Sequence, residues 1–106
     1  MHIKSFANHI GWTDVNPFEV VRVISEQTVE VREMKAHPLP WDQKWEVGGF
    51  AGHCSNQRDQ KWDIQRDLDA EVIRIRWSKA KGVWQDRNGR RFSMSDTPRK
   101  FYDYNF

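Results

Sequence analysis

Two stretches of this chain alternate apolar and charged side chains residue by residue: Val29-Glu30-Val31-Arg32 and Ile73-Arg74-Ile75-Arg76-Trp77. That is the repeat of a β-strand, whose successive side chains point to opposite faces. A helix would set Val29 and Val31 roughly 200° apart and split the apolar face. Both stretches are therefore half-buried strands, with valine, isoleucine and tryptophan inward and the charges outward. The remaining elements follow from these two. Phe18-Glu19-Val20-Val21-Arg22-Val23-Ile24 is rich in β-branched residues and meets Thr28–Met34 across Ser25-Glu26-Gln27, which predicts a hairpin. Lys61–Gln65 reads as a strand and Arg66-Asp67-Leu68-Asp69 as a turn before the second alternating run. Ser78–Gly82 turns the chain into Val83-Trp84-Gln85, and Asn88-Gly89 marks a tight hairpin to a returning strand, Arg91–Met94.

The other segments carry no such period. Residues 1–17 read as an irregular arm ending in the turn signal Asn16-Pro17. His37-Pro38-Leu39-Pro40 is excluded from a sheet interior, because proline has no amide hydrogen to donate. Trp41 and Trp45 fit either a short helical turn or two anchors in a loop. Gly48-Gly49-Phe50-Ala51-Gly52 is flexible and leads into His53-Cys54-Ser55-Asn56-Gln57. Phe101-Tyr102-Asp103-Tyr104-Asn105-Phe106 is an aromatic tail. It is expected to fold back and close an open barrel; docking on a second subunit, or on a host protein, is the alternative. The expected fold is a single all-β domain over residues 1–106, with about six short strands and no long helix. It is a small bent sheet or a partly open barrel, with a Src-homology-3-like barrel as the preferred instance.

The chain has 106 residues, among them six Trp, six Phe and two Tyr. Disordered chains are poor in such rings. No apolar run approaches the ~20 residues that span a bilayer as a helix, and the start Met1-His2-Ile3-Lys4-Ser5 lacks the apolar stretch of a signal peptide. The lone Cys54 rules out an internal disulfide and suits a reducing compartment. A cytoplasmic location is the expectation. Charge is unevenly spread. Residues 72–100 carry nine basic and two acidic residues, a net +7, whereas the remainder carries eight basic and thirteen acidic, a net −5. A basic segment attracts polyanions, because neutralised phosphates release their counterions. It also suits pairing with the acidic half of the same chain.

Candidate chemistry is sparse. His53 and Cys54 are adjacent, but neighbours on a strand face opposite ways, so adjacency makes no catalytic dyad. His2, His9, His37, His53 and Cys54 show no metal-ligand spacing, and no metal or other cofactor is expected. The glycine-rich phrase lacks the lysine and hydroxyl of a phosphate loop. Arginines interleaved with aromatics carry more. Arg74, Arg76, Arg87, Arg90 and Arg91 lie on or beside the predicted hairpins, and Trp84 is the stacking candidate. Small barrels hold single strands with a basic groove and exposed rings. The expected function is a non-enzymatic module that binds nucleic acid through this face. The alternative is a protein-interaction module that binds a host or phage protein through Trp41, Trp45, Phe101, Tyr102, Tyr104 and Phe106. A monomer or homodimer, with no membrane association, is expected.

Four phrases occur together: Thr13-Asp14-Val15-Asn16-Pro17-Phe18-Glu19-Val20-Val21, Gly48-Gly49-Phe50-Ala51-Gly52-His53-Cys54-Ser55-Asn56-Gln57, Gln60-Lys61-Trp62 and Lys100-Phe101-Tyr102-Asp103-Tyr104-Asn105-Phe106. With them the chain, from about residue 12 onward, resembles a family of small bacteriophage and prophage proteins. The resemblance implies a context, an accessory phage protein in the cytoplasm of an infected or lysogenic bacterium. It brings no catalytic or cofactor residue.

Overall fold

The computed structural model describes residues 2–48 and 51–105. Eleven strands follow one another: β1 (Phe6–Ile10), β2 (Val15–Asn16), β3 (Phe18–Ser25), β4 (Thr28–Glu33), β5 (Lys35–Leu39), β6 (Trp45–Gly48), β7 (Ala51–Cys54), β8 (Lys61–Gln65), β9 (Val72–Ser78), β10 (Val83–Gln85) and β11 (Arg91–Ser95). Among the described residues the only helical element is a 3-10 turn, Gln57–Asp59. None of them forms a helix long and apolar enough to cross a membrane.

Six strands close into an antiparallel barrel in the order β1-β3-β4-β9-β10-β11, and β11 pairs back onto β1 from Phe6↔Ser95 to Ile10↔Arg91. Closure leaves this sheet without long free edges, the liability of open sheets. β2 lies along the same side of β1 as β3. Only the buried Pro17, which cannot donate to the ladder, separates β2 from β3. β5 pairs with β8, and β6 with β7, in two smaller ribbons outside the barrel. Pro38 sits in β5, where β8 covers one side alone.

The alternating stretches form the barrel's centre. Val29 lies opposite Ile75 and Val31 opposite Ile73; Val29, Val31 and Ile75 are fully buried. Trp84 lies opposite Trp77 on one neighbour and Phe92 on the other. The two indoles meet edge to face at 5.9 Å, and Phe18 meets Phe92 the same way at 5.1 Å. Ala7 completes this core, and Ile3, Val20 and Met94 pack against it.

Three expectations are corrected. Residues 1–17 are not an irregular arm, since they supply β1 and β2. The barrel is closed by β1 on β11 and not by the tail. The tail does fold back, onto the barrel rim and the outer ribbons. Phe101 and Val15 exchange both backbone hydrogen bonds, the Tyr102 and Tyr104 amides donate to Gln60 and Gln57, and Asn105 both donates to and accepts from the Cys54 backbone. Finally, the Asn88-Gly89 hairpin has a different turn from the one that dipeptide favours. Gly89 alone takes positive φ, at 85°. The Gly89 amide donates to Asp86 O and the Asp86 amide to Arg90 O, a longer turn ending in a left-handed glycine.

Candidate nucleic-acid interface

The geometry of this face starts from β10, which is only three residues long. It pairs with β9 at Val83↔Ser78, Trp84↔Trp77 and Gln85↔Arg76, and then leaves. The departure is fixed by Asp86. Its buried carboxylate accepts the amides of Asn88 and Arg90, both at 2.9 Å, and the Arg90 Nε at 2.6 Å. Burial alone would raise the Asp86 pKa; the hydrogen bonds from Arg90 and Asn88 outweigh it and hold the carboxyl below its ordinary value. The Arg90 guanidinium also lies 5.9 Å from the ring centres of Phe18 and Phe92. The turn 86–90 is thus clamped away from β9.

A groove of about 970 Å³ opens between β9 and this turn, lined by Arg74, Arg76, Arg87 and Arg90, with Glu71 and Asp86 as its acids and Ile73 and Trp77 as apolar surface. Its wall is an unpaired strand edge. The Trp77 amide donates to Gln27 O on the β4 side. Backbone groups of alternate residues point alternate ways, so Arg76, Arg74 and Val72 face the β10 side. Arg76 meets Gln85 there; among the described residues Arg74 and Val72 have no strand on that side. The buried Gln85 Oε1 has no hydrogen-bond partner among the described residues.

The arginines are not equivalent. Arg74 pairs with Glu30 at 3.3 Å, and Glu30 also faces Arg22. Arg90 belongs to Asp86. Among the described residues Arg76 and Arg87 form no ion pair. Arg91 is outside the groove, in a second hollow with His2, Lys4 and Ile10. It still shares the outer face, since Gln85 lies opposite Arg76 on one side and Arg91 on the other, which sets the two arginines two strands, roughly 10 Å, apart.

Trp84 is corrected as a stacking residue. It is 2% exposed, because alternation along β10 turns it inward between Trp77 and Phe92, and no base reaches it. Trp77 is half-buried and reaches the groove from the core side. Among the described residues the most open ring belongs to Trp12, 94% exposed on the turn between β1 and β2. Period and spacing do not single it out, because it stands alone among turn formers.

The residues of the interaction-module alternative are only partly assembled. Trp41 packs on Tyr104 at 5.6 Å and Tyr104 on Tyr102 at 4.9 Å. Trp45 and Tyr102 keep about half their surface, 49% and 47%. Phe101 is tied to Val15, and Phe106 lies outside the described residues, as do Gly49 and Phe50 of the glycine-rich phrase. Cys54 is buried with its backbone bonded to Asn105, while His53 is exposed. Among the described residues no group of three or more His, Cys, Asp or Glu is placed to hold a metal ion. His9 sits between Phe18 and Phe92; burial, then the nearby Arg90 charge, lowers its pKa against the opposing pull of Asp86 and Glu33. Comparison with family models, curated proteins and solved structures finds no match for this chain.

Proposed function

We propose that this chain is a non-enzymatic accessory module of phage type that binds nucleic acid along the arginine groove in the bacterial cytoplasm. The observation that carries this reading is the convergence of Arg74 and Arg76 from β9 with Arg87 and Arg90 from the following turn on one hollow. Two of the four guanidinium groups are without a carboxylate partner among the described residues. These two, Arg76 and Arg87, keep charge that a phosphate chain would neutralise. Partner capture through the tail has less support, because the backbone of residues 101–105 is largely taken up by internal hydrogen bonds.

The test is the salt dependence of binding to a labelled oligonucleotide. Two to four phosphate contacts give a log–log slope of roughly −1.5 to −3 for a single strand. Saturable binding at low salt with a slope in that range supports the reading; no binding at low salt overturns it.

A further inference from the structure

We infer that the groove takes single-stranded rather than duplex nucleic acid, with Trp12 as the ring on which a base stacks. This deepens the proposed function and rests on it.

Three observations converge. The first is the wall of the groove. Among the described residues, the Val72 and Arg74 backbone groups that face the groove have no hydrogen-bond partner. Such groups are matched by the exposed edges of unpaired bases. In a duplex the Watson–Crick edges are already paired with one another, and only the groove edges remain. The second is size. A hollow of about 970 Å³ is at the upper end of what encloses a small molecule, ~300–1,000 Å³. It has room for a few splayed nucleotides.

The third is Trp12. The register Ile10↔Arg91 places the end of β1 beside the start of β11, so the turns 11–14 and 86–90 are neighbours on one rim of the barrel. Trp12, on the first of these turns, thus lies on the same rim as Arg87 and Arg90. Its turn is closed by the Gly11 amide on Asp14 O at 2.8 Å, and the Asp14 carboxylate accepts the Asp103 amide at 2.8 Å. A Cβ at position 11 would come within 3.1 Å of Asp14 O, a tight contact that glycine avoids. The tail thereby holds in place a loop whose ring is 94% exposed. A cationic groove together with an exposed ring for stacking is the combination that binds single strands without sequence preference.

The experiment is fluorescence polarisation at low salt with one labelled oligonucleotide, as a single strand and as its duplex. It is run on the unmodified chain and on the variants Trp12→Ala, Trp12→Phe and Arg76→Glu. The single strand is expected to bind at least about tenfold tighter than the duplex. Trp12→Ala should weaken the single strand by about 5- to 100-fold, the range of one base–aromatic stack, and leave duplex binding unchanged. Trp12→Phe should retain most of the affinity. Because Trp12 is exposed, Trp12→Ala leaves the core intact. Equal affinity for both forms overturns the inference. So does unchanged single-strand binding by Trp12→Ala alongside a loss in Arg76→Glu, a result that leaves the groove itself standing. If no form binds the unmodified chain, both the inference and the proposed function fall.

Discussion

Reversing two charges together, Arg76→Glu with Arg87→Glu, should lower affinity for a single-stranded oligonucleotide by roughly 100- to 1,000-fold at low salt. Each reversal removes one phosphate contact and adds one repulsion, each worth about 1 kcal/mol in solvent-exposed surroundings. These two arginines are the informative pair because neither has an ion-pair partner among the described residues, so their charge is available to a ligand. Both are exposed, and surface substitutions of this kind usually change stability by less than about 0.5 kcal/mol. Arg58→Glu, on the 3-10 turn away from the groove, serves as the reference and should change affinity by no more than about threefold, through long-range charge alone. The comparison is a titration of the three proteins under one salt condition, with a thermal melt to confirm that each is folded.

Phe92→Ala should cost about 3–5 kcal/mol of stability, the range for truncating a buried aromatic residue. In a chain of this size that lowers the melting temperature by roughly 15–25 °C. Phe92 is 3% exposed and stands on β11, the strand that closes the barrel on β1. Its ring supports Phe18 edge to face, lies 5.5 Å from His9 and carries the Arg90 guanidinium at 5.9 Å. Removing it therefore opens a cavity and loosens the clamp that keeps the 86–90 turn off β9. Thermal denaturation followed by circular dichroism reads the loss directly. A shift below about 5 °C would mean that the barrel is not closed at this point.

What the sequence shows about the fold tracks how many faces of each strand are solvated. β4 and β9 have one face in the core and one in water, so Val29-Glu30-Val31 and Ile73-Arg74-Ile75 alternate cleanly, and the turns flanking β9 fall where Asp67, Asp69 and Gly82 stand. β1 is covered on both faces. Ala7 enters the core, while the Asn8 side chain is buried under the C-terminal segment, accepting from the Arg99 amide and donating to Thr97 O. Its sequence, Phe6-Ala7-Asn8-His9-Ile10, consequently has no period two and looks irregular. The second layer is obscure for a related reason. β5 to β8 form narrow ribbons with little core of their own, and their order depends on polar bridges from the tail, such as Asn105 to Cys54, 51 residues apart. Local pattern carries no trace of such long-range partners.

The site was legible in its charges and not in its rings. Alternation sets Arg74 and Arg76 on the outer face of the sheet, and the hairpin signal brings Arg87 and Arg90 near them. The groove itself comes from the early departure of β10, which depends on three-dimensional hydrogen bonds to the Asp86 carboxylate. The same alternation that puts the arginines outward sends Trp84 inward. Trp12 lies in a turn, where no periodicity says whether a ring is covered or open.

The central claim is that Arg74, Arg76, Arg87 and Arg90 form one ligand-binding face. It is tested most directly by following the arginine side-chain Nε–H resonances of the assigned protein by NMR while single-stranded oligonucleotide is added. The account predicts saturable shifts at Arg76 and Arg87, smaller ones at Arg74 and Arg90, which are already paired with Glu30 and Asp86, and none at Arg58 or Arg22. Shifts confined to arginines outside the groove, with these four unmoved at saturation, would contradict it.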